Sequence, residues 1–247
     1  INIDGEKPRF GFIRKDEIVD VIRSGIWLKE NNKDASFLTI PTTLKLALGN
    51  WDINFSKLKE LDQAIPDSDL SSLKVNGKPI AIKEHDASLL PPIPNPDTFR
   101  DFYAFEQHVK AARKLRGLEM HPDWYKLPIF YFSNPTTIYG HGENIPYPTG
   151  TEELDFELEF AIIIANGGHD IKKENADQKI GGYTVLNDWS ARDLQREEMQ
   201  LNLGPAKGKD FANSFGPYMV TPDELTDAWK KNKLHLRMTC HVNEKLI

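Results

Sequence analysis

Cysteine is all but missing from this chain. Cys240 stands alone, which excludes an internal disulfide and suits a reducing, cytoplasmic setting. No apolar run approaches the ~20 residues needed to span a bilayer, so no membrane partner is expected. No basic segment followed by an apolar one opens the chain, so no secretory signal is read. Basic charge is not concentrated anywhere. The net charge is −6, and the absence of a dense Lys/Arg cluster argues against nucleic acid as a partner. Repeats and low-complexity segments are absent. What remains is the composition of an ordinary globular protein, 39% hydrophobic and 28% charged. Its 247 residues suffice for one large domain or two modest ones. The chain begins at Ile1 rather than Met. His241-Val242-Asn243-Glu244-Lys245 reads as a strand turning toward a partner it lacks, so more chain is expected beyond Ile247.

Prolines set the organisation. Pro91, Pro92, Pro94 and Pro96 forbid regular helix and favour a stiff extended linker. The expected division is an N-terminal α+β domain over 1–88 and a β-rich domain over 89–247. In the first, residues 9–24 read as two strands around Lys15-Asp16-Glu17. Residues 41–64 read as a helix capped by Thr42 or Thr43. In the second, a helix capped by Asp97 or Thr98 is expected from Phe99 to Arg113, stopped by Gly117. Short strands with Gly- and Pro-rich turns follow, and one more helix begins after Asp188.

The stretch from Leu154 to Ile164 carries the strongest chemical signal. In one strand, Asp155, Glu157 and Glu159 share a face opposite Leu154, Phe156, Leu158 and Phe160. A half-exposed strand with a solvated acidic face is the plain reading. Against it, the strand runs into Ile162-Ile163-Ile164, as if entering a covered sheet. No Lys or Arg is interleaved to relieve the like charges, as a cation would. Asp188 sits where a β-run meets a helix, a place for a ligand-facing carboxylate, though helix capping is the favoured reading for it alone. Asp101 and His108 are seven residues apart, on one face if helical, with Ala104 and Phe105 between. A lone histidine there is ordinarily structural; beside a carboxylate it becomes a candidate base. Gly204-Pro205-Ala206-Lys207-Gly208-Lys209 is either a surface turn or a loop that brings backbone close to a ligand. It lacks the spacing of a phosphate loop.

Taken together, Asp155-Phe156-Glu157-Leu158-Glu159, Asn187-Asp188-Trp189-Ser190-Ala191-Arg192-Asp193-Leu194-Gln195 and Gly208-Lys209-Asp210-Phe211 resemble the fumarylacetoacetate hydrolase family. The resemblance covers roughly residues 90–247. Arg100-Asp101-Phe102-Tyr103 followed by Gln107-His108 is similar to its hydrolase branch. The His-x-x-Glu lid of the acylpyruvase branch is missing, since Ala111 stands three residues after His108. The resemblance implies an α+β, β-rich fold, a mixed β-roll behind a smaller N-terminal domain, assembled as a homodimer. It implies metal binding by Asp101, Glu157, Glu159 and Asp188, and a general base in His108. Lys209 would lie beside the metal, and Tyr103, Gln195 and Arg113 or Arg116 would contact substrate. Met199 or a neighbour replaces a family tyrosine. An all-oxygen ligand set suits Mg2+ or Ca2+, with Mn2+ as a third choice. The expected activity is hydrolysis of a C–C bond in a small diketo or 2-keto acid. Decarboxylation, isomerisation or dehydration on the same site, and non-catalytic binding of a structural cation, stay open beside it.

Overall fold

The computed structural model describes residues 1, 6–31, 35–67, 69–231 and 233–247. Strands β1 (Gly11–Arg14) and β2 (Glu17–Asp20) form a hairpin whose turn contains Lys15 at φ 60. The expected second strand is shorter than the sequence suggests. The Asp20 carboxylate accepts hydrogen bonds from the backbone N–H of Ile22 and Arg23, and the chain turns into helix α1 (Val21–Glu30). The single helix expected over 41–64 is two, α2 (Leu44–Leu48) and α3 (Trp51–Ala64), broken at Gly49-Asn50. Thr43 does cap α2, accepting from the Leu46 N–H. A small hairpin of β3 (Lys74–Val75) and β4 (Lys78–Pro79) leads to β5 (Ala81–Lys83), which pairs antiparallel with β2. Leu28, Leu61, Ile65, Ile80 and Val19 are fully buried at the centre of this half. The same core reaches Ala165, with Ile163 and Met219 packed against it. The Trp51 N–H donates to Asn166 Oδ1 at 2.7 Å, so the first turn of α3 is tied to the second half.

Between Asp86 and Phe99 no helix or strand forms, as the prolines require. The next segment departs from expectation. Phe99–Phe102 is strand β6, paired antiparallel with β7 (Phe130–Ser133), and the helix α4 runs only from Glu106 to Leu115. Asp101 and His108 therefore do not share a helix face. Asp101 lies directly across from Tyr131 in the hairpin.

The expected strand over 154–164 is interrupted. β9 (Leu154–Asp155) pairs with β12 (Ser190–Ala191), while β10 (Leu158–Ile164) pairs with β11 (Ile180–Asp188). Phe156 and Glu157 form the step between them, where Glu157 donates its N–H to Asn187 Oδ1 and accepts at its carbonyl from the Asp188 N–H. β10, β11, β13 (Asn213–Phe215) and β8 (Ile138–Tyr139) make a mixed four-stranded sheet, antiparallel except for β13 with β8. One face of that sheet is open rather than covered: Ile162, Ile164 and Val185 are each at least half exposed. Helix α5 (Arg192–Met199) follows β12 as expected. Two further hairpins pair β14 (Trp229–Lys230) with β15 (Lys233–Leu234), and β16 (His241–Val242) with β17 (Lys245–Leu246). In the last, Asn243 and Glu244 both adopt positive φ, the twist of a tight two-residue hairpin turn. The strand expected to lack a partner thus pairs within the chain. No helix of the described residues is long and apolar enough to cross a membrane.

Candidate active site

Four carboxylates and one lysine meet where β6, the β9–β10 step, β11 and the 204–209 loop converge. Lys209 is 2% exposed and its Nζ donates to Glu157 Oε2 at 2.6 Å and to Asp188 Oδ2 at 2.8 Å. The Tyr131 hydroxyl also donates to Asp188 Oδ2. Arg192 Nη1 donates to Glu157 Oε1 at 2.6 Å and to Gln195 Oε1 at 3.2 Å, while its Nε holds Asp155 at 2.7 Å. The acidic strand face is therefore relieved, by cations from a neighbouring helix and loop rather than from its own strand. Asp155 is spoken for by Arg192 and stands apart from the other carboxylates.

The loop that delivers Lys209 is held from below. Glu198 accepts from the backbone N–H of Ala206, Lys207 and Gly208 at 2.6–2.9 Å. The Ala191 N–H donates to the Gly208 carbonyl at 2.8 Å. A Cβ on Gly208 would lie 2.7–2.9 Å from Gln195, including its backbone N and Cα, so only glycine lets loop and helix approach.

The electrostatics separate the carboxylates. Burial pushes Asp101 up to about 7, reinforced by Asp188 and Glu159. Burial likewise raises Glu159 to about 7, with Glu157 and Asp188 adding to it. Burial raises Asp188 against the pull of Lys209. Burial acts the same way on Glu157, but Lys209 and Arg192 outweigh it and hold that carboxyl below its usual range. Burial, then Asp188 and Asp101, hold the Tyr131 phenol protonated.

The arrangement fits a cation on two observations. Asp188 Oδ1 is buried without a hydrogen-bond partner. The side chains of Asp101 and Glu159 make no hydrogen bond or ion pair among the described residues, and Glu159 helps to raise Asp101. Five carboxylates, counting Asp155, face two cationic side chains. A divalent ion would offset most of the remaining negative charge. Among the described residues no three His, Cys, Asp or Glu side chains are placed to hold a metal ion together. Lys209 Nζ bridges Glu157 and Asp188 instead.

The other expected site residues fall in two groups. His108 is exposed on α4, its ring edge-on to Tyr103 with centroids 6.4 Å apart. Arg113 shares a cavity wall with Tyr103. Arg116 is exposed and donates its Nε to the Ala112 carbonyl of its own helix. Gln195 touches the cluster through Arg192. Two residues at the cluster escaped sequence reasoning. Tyr131 sits between two phenylalanines and reads as core, although its alternation with exposed Phe130 and Phe132 marks a different face. Arg192 lay inside a quoted motif, and its acidic partners 35 and 37 residues away are joined to it only by the fold.

The family model for the fumarylacetoacetate (FAA) hydrolase C-terminal domain matches residues 97–247. The chain belongs to that family. A fumarylacetoacetase of Arabidopsis thaliana is 37% identical over 147 residues, covering 51% of this chain and 35% of the relative. A fumarylacetoacetase of Rattus norvegicus is 28% identical over 249 residues, covering 89% of this chain and 58% of the relative. The chain thus spans from about a third to little more than half the length of these relatives. In fold it is similar to the crystal structure of maleylpyruvate hydrolase from Sphingobium sp. SYK-6 in complex with manganese (II) ion and pyruvate. The TM-score is 0.55 at 17% identity, over 90% of this chain and 67% of that one. The fold is the α+β architecture of the family, with no closed barrel among the described residues.

Proposed function

We propose that this chain is a metal-dependent hydrolase that cleaves a C–C bond in a small, fumarylacetoacetate-like diketo acid. The observation that carries the reading is the set of mutually repelling carboxylates Asp101, Glu157, Glu159 and Asp188, with Asp188 Oδ1 buried and unpartnered. Those four side chains would hold the ion, Mg2+, Ca2+ or Mn2+. Bound there, the ion supplies Lewis acidity to the two oxygens of a chelating dicarbonyl. The remaining work falls to the chain's own side chains. His108 takes a proton from water, whose oxygen adds to the distal carbonyl carbon. The bond between that carbon and the central methylene then breaks. Its electron pair is left, as an enolate, on the fragment that keeps the second carbonyl, and that fragment is protonated at carbon. Lys209 faces the negative charge that develops, Gln195 orients the dicarbonyl end, and Tyr103 and Arg113 contact the substrate beyond it. Asp155 and Arg192 keep Glu157 turned toward the cluster. The maleylpyruvate hydrolase of similar fold is in complex with manganese and pyruvate, which supports a divalent ion and a keto-acid ligand for this reading. The open face of Ile162, Ile164 and Val185 supports assembly as a homodimer.

A second reading, isomerisation, decarboxylation or dehydration of a 2-keto acid on the same cluster, draws support from the exposure of His108, since it needs no positioned attacking water. Incubation with acetylpyruvate and fumarylacetoacetate-like diketo acids in Mg2+, Mn2+ or Ca2+ tests the choice. Two acids as products support hydrolysis. Carbon dioxide or an isomer, with no C–C hydrolysis, would overturn it.

A further inference from the structure

The hairpin that carries Asp101 continues past its last formal strand residue. The Tyr103 N–H donates to the Ile129 carbonyl at 3.1 Å, which extends the register that sets Asp101 opposite Tyr131. Side chains two apart on a strand share a face. Tyr103 and Ile129 therefore lie on the same face as Asp101 and Tyr131, one cross-strand step along, roughly 7 Å away. On that face is a cavity of about 290 Å3 lined by Tyr103, Val109, Trp124 and Ile129, with Arg113, His121 and Asp123 as its polar members. It is built rather than incidental. Trp124 Nε1 donates to the Tyr103 carbonyl at 2.7 Å, Val109 is fully buried, and the Tyr103 ring buttresses His108.

We infer that this cavity receives the distal substituent of the substrate, and that the substituent is apolar: an aryl or branched alkyl group. The inference rests on the carboxylate cluster holding the chelating carbonyl end. Apolar cavities of roughly half this volume take a benzene ring. A distal carboxylate is a poorer match. Arg113 spends its Nε on the Glu119 carbonyl at 2.5 Å, and the Asp123 carboxylate beside it opposes a second negative charge.

Compounds without a cleavable dicarbonyl read the cavity apart from catalysis. Calorimetry in Mn2+ should show 2-oxo-4-phenylbutanoate binding at least about tenfold more tightly than 2-oxobutanoate, because a phenyl group leaves water. It should also bind more tightly than 2-oxoglutarate. Ile129→Trp, at a half-exposed wall position, should fill the space and bring the phenyl-to-ethyl affinity ratio close to one. Equal affinities in the unaltered protein, including no binding of either, would overturn the inference. So would tighter binding of 2-oxoglutarate, or an unchanged ratio in folded Ile129→Trp. Failure of the hydrolytic reading shows separately, as a phenyl preference in binding with no cleavage of any diketo acid.

Discussion

Replacing Asp101 by asparagine should stabilise the metal-free protein while abolishing its tight binding of metal. The Asp101 carboxyl is raised from 3.8 to about 7 in the folded chain by burial and by Asp188 and Glu159. A folded-state value above the unfolded one means the native state holds the proton longer. Stability then falls as pH rises from about 4 to about 7 and stays low above that. Each unit is worth about 1.4 kcal/mol, so the ionised carboxylate costs on the order of 4 kcal/mol at pH 8 and roughly a third of that at pH 5. Asp101→Asn removes that cost with little change of shape. For a chain of this length, about 4 kcal/mol corresponds to a rise of roughly 10 °C in Tm. Thermal unfolding in EDTA at pH 8 and pH 5, on both proteins, reads the effect. The variant should melt higher at pH 8, and the gap should shrink at pH 5. With Mn2+ the order should reverse, because only the unaltered protein gains binding energy. A variant no more stable than the original in EDTA at pH 8, or a gap independent of pH, would refute the reasoning.

Four further outcomes are expected. His108→Ala should lower kcat by about 10²–10⁴-fold with metal affinity retained, measured by steady-state kinetics and calorimetry; unchanged turnover would remove His108 from the proposed chemistry. Lys209→Met strips the buried charge that bridges Glu157 and Asp188, so it should cost about 3–5 kcal/mol in EDTA at pH 8. Mn2+ should recover part of that loss, which a purely structural lysine would not allow. Glu198→Gln weakens three backbone contacts to the 206–208 loop, and should cost about 1–2 kcal/mol and speed proteolysis within the loop. Gly208→Ala should displace Lys209 by crowding Gln195, lowering kcat more than it lowers Tm.

The parts legible in the sequence were those whose signal is local. Proline density marked the extended segment before Phe99, Thr43 marked a cap, and the end of the β-run at Asn187-Asp188 marked a helix to follow, which begins at Arg192 after the short β12. The misreadings have a common cause. Phe99 to Arg113 suits helical spacing, and what makes Phe99–Phe102 a strand is its pairing with Phe130–Ser133, some thirty residues later. Nothing local announces it. The same pairing sets Asp101 opposite Tyr131, so its role in the cluster follows from a contact the one-helix reading could not supply. The acidic strand was read as unrelieved because Arg192 and Lys209 come from other elements. The break at Phe156-Glu157 was hidden by perfect alternation, although it is what turns Glu157 toward Lys209 while Asp155 turns to Arg192. The open face of Ile162 and Ile164 was read as covered because three isoleucines in a row carry no information about what lies above them.

The central claim is that four acidic side chains from β6, the β9–β10 step, β10 and β11 share one ion. A crystal structure with Mn2+, with the ion located by its anomalous scattering, tests this most directly. One manganese within coordination distance of Asp101, Glu157, Glu159 and Asp188, with Lys209 moved aside from its bridge, is the result the account predicts. No ion there at saturating Mn2+, with Lys209 still bridging Glu157 and Asp188, would contradict it.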